Sequence, residues 1–237
     1  MQSPYPTSPG RPRLDGGDVW LFDLDNTLYP ASCDLFPQID RRMGEFIQRF
    51  LSLGWDEARL LQKHYLREHG TTLRGLMLNH GLRPQDYLDF VHAVDLTAIA
   101  PSPALDAVLA ALPGRKLVFT NASTAHAERV LTRLGVDRHF EVVFDIAAAD
   151  YQPKPMPECY RRLIDRHGVE PRRAVFFEDS ARNLEPAAAL GMTTVLVREE
   201  SATAGDALAD FVHHVTADLL SWLNGLLQAA RPPDGPR

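Results

Sequence analysis

The chain has 237 residues, of which 45% are hydrophobic, 24% charged and 8% aromatic. That is the make-up of a globular protein with a full-sized core, one large domain or one domain with an insert. Asp and Glu (31) outnumber Lys and Arg (25) for a formal net charge of -6, the wrong sign for coating phosphate backbones, so no nucleic-acid polymer is expected as partner. The two cysteines, Cys33 and Cys159, exclude a disulfide framework and a cysteine-built zinc site and point to a reducing, cytoplasmic setting. No run of 18 apolar residues offers a membrane span.

Residues 1–13 mix Pro4, Pro6, Pro9 and Pro12 with Ser, Gly and Arg and have no apolar core, so they read as a disordered tail rather than a secretory signal. Residues 231–237 read the same way. The first strand is predicted over 19–23, a continuous apolar run of the kind buried on both faces. No strand pattern follows for about seventy residues. Instead Phe36, Ile39, Met43, Phe46, Ile47 and Phe50 recur at helical spacing, and further helical segments end near Gly70, Gly81 and Val94.

From there strands and helices alternate. Ser102 caps a helix that begins at Pro103 and breaks at Pro113-Gly114. Strands are predicted at 116–120, 142–146, 174–178 and 193–197. Helices between them stop at Gly135, Gly168 and Gly191. A last helix, 217–230, carries Leu219, Leu220, Trp222, Leu223, Leu226 and Leu227 on a wide apolar face suited to docking on the core or to a dimer contact. The expected fold is α/β: a Rossmann-like doubly wound parallel sheet over 14–30 and 100–230, with a helical cap inserted at 31–99.

The chemistry sits at strand ends. The first strand closes in Asp23 and Asp25, two carboxylates that face the same side of extended chain and together require a cation or a shared proton. Mg²⁺, a hard ion that favours oxygen ligands, suits them. Turn formation is the plainer use of Asp at such a place. The second strand ends in Thr120-Asn121 with Ser123 next, a hydroxyl, an amide and a helix start that suit an anion or simply cap the helix. Lys154 stands in the frame Gln152-Pro153-Lys154-Pro155, either a cation for a phosphoryl group or a solvated loop lysine. The fourth strand ends in Glu178-Asp179, a second acidic pair able to complete a cation site, or a helix cap.

Taken together, DLDNT at 23–27, Thr120-Asn121, Lys154 and Glu178-Asp179 resemble the four motifs of the haloacid dehalogenase superfamily, in its phosphatase branch with a helical cap after the first strand. FDLDNTLYP, FTNAS, QPKP, FFEDSARNLEPA and the cap segment HGTTLRGLM are further similar to its pyrimidine 5'-nucleotidases. The resemblance implies a phosphoric monoester hydrolase with Asp23 as nucleophile, Asp25 as acid and base, and an aspartyl-phosphate intermediate. It implies Mg²⁺ on the Asp23 carboxylate, the Asp25 backbone carbonyl and Asp179, with Glu178 a ligand directly or through water. Thr120, Asn121 and Lys154 would hold the phosphoryl oxygens, with backbone N–H groups at 24–26. Asn183 stands where many relatives carry a second Asp and is left out of the metal shell.

The implied partner is a small phosphorylated metabolite, most simply a nucleotide such as UMP or CMP. A sugar phosphate, phosphoglycolate, a phosphomutase reaction and a non-catalytic binding role are the alternatives, and the chain is expected as monomer or homodimer. In the cap, Arg74 is a candidate substrate contact or an exposed helix arginine. Tyr29 is expected to lie against a base or pack on the cap, and the nine histidines are expected on the surface or in packing. Cys33 has no neighbouring base and is read as a bystander.

Overall fold

The computed structural model describes residues 18–198 and 209–229, so the two tails expected from composition lie outside the described residues. Six strands form one parallel sheet: β1 (Val19–Phe22), β2 (Arg115–Phe119), β3 (Val142–Phe144), β4 (Ala174–Glu178), β5 (Thr193–Val197) and β6 (His214–Thr216). Their order is β3-β2-β1-β4-β5-β6. The chain therefore steps outward from β1 to β3, then returns to the other side of β1 at β4. That reversal leaves a crevice at the carboxyl ends of β1, β2 and β4, where open α/β sheets bind ligands.

Parallel strands need long crossovers, and the helices that make them cover both faces of the sheet. The flanking helices are α5 (Pro103–Ala111), α6 (Thr124–Leu134), α7 (Pro157–His167), α8 (Ala181–Ala189) and α9 (Leu219–Ala229). Within β1 the pleat sends Trp20 and Phe22 to one face and Leu21 to the other. Phe22 stacks on Phe177 of β4 at 4.8 Å between ring centroids, and Phe177 meets Trp222 of α9 edge-on at 5.2 Å. On the opposite face Phe119 of β2 meets Tyr160 of α7 at 5.0 Å. The last predicted helix thus docks on the core, with Leu219 and Leu223 buried.

β6 is a sixth strand where five were predicted. It is three residues long, lies at the sheet edge and is exposed or half-buried throughout, so it lacks the continuous apolar run that marks a strand covered on both faces. Among the described residues no helix is long and apolar enough to cross a membrane.

Four helices are inserted after β1: α1 (Leu35–Leu51), α2 (Trp55–His69), α3 (Thr72–His80) and α4 (Pro84–Val91). The apolar stripe predicted on α1 divides in the structure. Ile39 and Ile47 are buried, whereas Phe36 and Phe50 are 42% and 41% exposed. α2 and α3 approach so closely that a Cβ built on Gly75 would lie 2.3 Å from Cγ of Tyr65. It would also lie 2.4 Å from Cβ of Tyr65, which no rotamer change moves.

Gly75→Ala should therefore destabilise the protein by about 1–3 kcal/mol, although alanine is the better helix former by about 1 kcal/mol. Urea unfolding checks this, and an unchanged or raised midpoint would contradict the packing of α2 on α3.

Candidate active site

Four loops at the carboxyl ends of the strands build one site. Asp23 directly follows β1, and its N–H donates to the Phe177 carbonyl at 2.9 Å, which carries the β1–β4 ladder up to the carboxylate. The chain then turns through Asn26, whose φ of 62° is left-handed, a conformation asparagine tolerates better than most residues. From there Asn26 Nδ2 donates to Asp179 Oδ2 at 3.2 Å and ties the two acidic loops together. Asp23, Glu178 and Asp179 each offer a carboxylate oxygen within 4.8 Å of the others.

Lys154 enters this cluster from the loop after β3 with its side chain 1% exposed. Nζ donates to Asp23 Oδ1 at 2.6 Å and to the Phe119 carbonyl at 2.8 Å, with Glu178 Oε1 at 3.5 Å. Asn121 grips the lysine by its main chain. The Lys154 N–H donates to Asn121 Oδ1 at 2.8 Å, and Asn121 Nδ2 donates back to the Lys154 carbonyl at 3.2 Å. The amide side chain expected to bind phosphate thus seats Lys154, with one Nδ2 hydrogen left over on the cavity side. Thr120 Oγ1 accepts from the Ala122 N–H at 3.0 Å and keeps its hydroxyl hydrogen to donate. Asn183 Nδ2 donates to Glu178 Oε1, so this amide orients a carboxylate.

Burial sets the electrostatics. It raises the Asp23 carboxyl, with Asp25 adding to the rise, even though Lys154 pulls the other way. Burial and the Asp23 charge push Glu178 well above the ordinary glutamate range and Asp179 up to about 6. Burial opposes the Lys154 ammonium, but the charges of Asp23 and Glu178 outweigh it and hold the proton more tightly than usual. Three carboxylates around one ammonium leave excess negative charge in a low-dielectric pocket. All-oxygen donors at this separation fit a hard divalent cation.

Asp25 occupies different surroundings. Tyr29 donates its hydroxyl to Asp25 Oδ1 at 2.6 Å, and His126 Nε2 lies 3.0 Å from the same oxygen. Burial opposes ionisation of Asp25, but these two hydrogen bonds and the His126 ring prevail and lower it below the ordinary aspartate range. Tyr29 is thus buried and bound to Asp25, rather than set against a ligand ring or merely packed. The histidines also need correction. His126 from α6 and His92 just after α4 are buried beside the site and stack at 4.5 Å and 17°. They were missed because they lie 101 and 67 positions beyond Asp25 in the chain, without metal-ligand spacing.

The site opens into a cavity of about 360 Å³ between sheet and cap. Asp23, Asp25, Thr120, Asn121, Lys154, Glu178 and Asp179 line its floor, and Phe36, Ile39, Leu66 and Val91 line the apolar cap side. Asp40, Gln62 and Lys63 add polar groups there, with Gln62 Nε2 and Lys63 Nζ donating to Asp40 Oδ1 at 2.8 and 3.0 Å. Arg74 is not among the lining residues; its Nη1 donates to the Tyr151 carbonyl at 3.1 Å, pinning α3 to the loop after β3. Arg182, overlooked within FFEDSARN, does line the cavity and donates to the Gly70 carbonyl at 3.1 Å.

The site is thus a doubly wound sheet with a lysine-paired aspartate at the end of its first strand, a second aspartate two residues on and an acidic pair opposite, the arrangement of a hydrolase with its chemistry at the strand ends. Residues 18–191 match the haloacid dehalogenase-like hydrolases, and the chain belongs to that family. It is 26% identical over 196 residues to phosphate metabolism protein 8 of Saccharomyces cerevisiae, a match covering 75% of this chain and 60% of the yeast protein. It is 35% identical over 112 residues to the fructose-1-phosphate phosphatase YqaB of Escherichia coli, covering 46% of this chain and 57% of that one. The chain thus spans about 60% of the length of these relatives. The fold is similar to a HAD phosphatase from Thermococcus onnurineus, with TM-score 0.59, 22% identity and coverage of 89% and 97% of the two chains.

His92 supplies a pH test. Burial above all, then the neighbouring His126, depresses its imidazole from 6.5 to about 3; Asp25 opposes this and Arg129 adds to it. Between those values the unfolded chain binds one proton more than the folded chain, so stability falls as the pH drops below 6.5 toward 3. Urea unfolding at pH 7 and pH 5 should show the wild type losing about 1–2 kcal/mol more than His92→Gln. Equal losses in the two proteins would contradict a neutral buried His92.

Proposed function

We propose that the chain is a Mg²⁺-dependent phosphomonoesterase that works through an aspartyl-phosphate on Asp23. The observation that carries this reading is the division of labour between two aspartates. Asp23 is paired with a buried lysine among metal-type carboxylates, and Asp25 is seated apart from them by Tyr29 and His126. An Asp23 oxygen attacks phosphorus, the ester P–O bond breaks, and its electron pair leaves on the alcohol oxygen, which takes the proton of Asp25. Ionised Asp25 then accepts a proton from the water that attacks the phosphorus of the aspartyl-phosphate, releasing phosphate and returning Asp23 as a carboxylate.

Asp23, Asp179 and the Asp25 carbonyl are the groups that would hold Mg²⁺, with Glu178 a ligand directly or through water. When bound, the ion would screen the repulsion between a carboxylate and a phosphate dianion. Lys154 and the Thr120 hydroxyl, with backbone N–H groups at 24–26, hold the phosphoryl oxygens. Asn121 contributes by fixing Lys154. A second aspartate at position 25 favours phosphate esters over carbon–halogen bonds, because only a departing alkoxide needs an acid.

For the alcohol part of the substrate we favour a pyrimidine nucleotide such as UMP or CMP. The nucleotidase-like motifs support this, as does a cavity wall of Phe36, Ile39, Leu66 and Val91 suited to a planar base. A sugar phosphate is the second reading. It is supported by the E. coli relative's named activity and by Asp40, Gln62 and Lys63, which suit hydroxyl groups.

Phosphate release from an aryl phosphate should require Mg²⁺, stop with EDTA and fall more than about 1000-fold in Asp23→Asn. Activity surviving that substitution would sink the mechanism. Across a panel, kcat/KM for UMP and CMP should exceed that for fructose 1-phosphate and phosphoglycolate by on the order of tenfold. The reverse order would replace the nucleotide reading by the sugar-phosphate one and leave the chemistry standing.

A further inference from the structure

The two hydrogen bonds to Asp25 fall on one oxygen. Tyr29 Oη and His126 Nε2 both reach Oδ1, at 2.6 and 3.0 Å, whereas Oδ2 has no hydrogen-bond partner among the described residues. Asp25 lines the cavity, so Oδ2 is the oxygen left for a substrate.

His126 is built to act as a donor. Its side chain is fully buried, and Nδ1 has no partner. A hydrogen on Nδ1 would be an unsatisfied buried donor and would leave a lone pair at Nε2 facing a carboxylate oxygen. The ring therefore carries a hydrogen on Nε2 and donates it to Asp25.

The ring is also braced. His92 lies flat on it at 4.5 Å. Ser123 Oγ accepts from the His126 N–H at 3.4 Å, which leaves the serine hydroxyl hydrogen for His92 Nδ1 at 2.9 Å. Arg129 holds the chain at this point, donating to the carbonyls of His92 and Val94 at 2.9 and 3.0 Å. The brace thus runs from the segment leading out of the cap helices, through His92 and His126, to the carboxyl of Asp25.

We propose that His126, braced by His92 and acting with Tyr29, fixes which oxygen of Asp25 carries the transferable proton. With Oδ1 accepting two hydrogen bonds, the proton of the acid form sits on Oδ2 and is delivered from there to the leaving oxygen. His126 and Tyr29 are positioning residues in this scheme. The inference rests on the proposed role of Asp25 as acid and adds to it the residues that aim the carboxyl.

The leaving group provides the test. An alkyl phosphate expels an alkoxide that needs the proton, whereas p-nitrophenyl phosphate expels a phenolate that leaves without one. In the Mg²⁺-loaded enzyme, His126→Leu and Tyr29→Phe should each lower kcat/KM, which reports the step that expels the leaving group and not the shared hydrolysis of the aspartyl-phosphate, about 10–100-fold for an alkyl phosphate and less than about threefold for p-nitrophenyl phosphate. His126→Gln, whose amide N–H can replace Nε2–H, should recover most of the alkyl phosphate activity. Asp25→Asn should show the same split more strongly. Equal losses on both substrates in the His126 and Tyr29 variants, with the split intact in Asp25→Asn, would overturn the positioning role alone. Absence of the split in Asp25→Asn would overturn the acid role and the proposal with it. If His126→Leu does not fold, Tyr29→Phe, which removes only a hydroxyl, carries the same comparison.

Discussion

The rest of the site depends on holding three carboxylates around a single buried ammonium. Asp23, Glu178 and Asp179 converge at the ends of two adjacent strands, and Lys154 is the cation placed among them. Removing one partner of such a pair costs about 3–5 kcal/mol, because the other is left charged in a medium that solvates it poorly. The neighbouring residues serve to keep the pair intact. Asn121 clamps the lysine backbone, the Phe119 carbonyl takes a second ammonium hydrogen, Asn183 fixes Glu178 and Asn26 fixes Asp179. Even so, the carboxylates outnumber the lysine and their proton affinities rise. A site with this imbalance is suited to a divalent cation, whose charge offsets the excess carboxylate and so admits a phosphate dianion.

Asp25 shows the opposite design two residues away. It receives hydrogen bonds from Tyr29 and His126 rather than from a lysine, and its proton affinity is lowered where those of Asp23, Glu178 and Asp179 are raised. One strand end therefore provides two aspartates with different chemistry because the groups facing them come from different parts of the fold. Those facing Asp23 come from the loops after β3 and β4. Those facing Asp25 come from its own turn, from α6 and, through His92, from the chain leaving the cap helices. Arg129 and Arg133 fasten that returning segment to α6 through the carbonyls of His92, Val94 and Ile99. The cap is thus anchored where it re-enters the core, and Arg182 and Arg74 tie it to the core elsewhere through the Gly70 and Tyr151 carbonyls.

Much of this was legible in the sequence, for physical reasons. Strands covered on both faces must be continuously apolar, so β1, β2, β4 and β5 announced themselves. Carboxylates placed at their ends are local in sequence, so Asp23, Asp25, Glu178 and Asp179 stood out together with Lys154. What escaped was long-range. β6 is a short edge strand whose pairing depends on β5 rather than on its own pattern. The clamp of Asn121 on the Lys154 backbone escaped because the two lie 33 residues apart. His126 and His92 had no signal of spacing to mark them, and Arg74 was a cation whose acceptor is a main-chain carbonyl that no motif encodes.

The central claim is that Asp23 takes the phosphoryl group, and the covalent intermediate tests it most directly. The Mg²⁺-loaded protein would be mixed with excess substrate, quenched in acid within a turnover, digested, and its peptides read by mass spectrometry. The account predicts one phosphoryl group on the carboxylate of Asp23, lost on treatment with hydroxylamine and missing in Asp23→Asn. A phosphoryl group on any other side chain, or full turnover with Asp23 unmodified at every quench time, would contradict it.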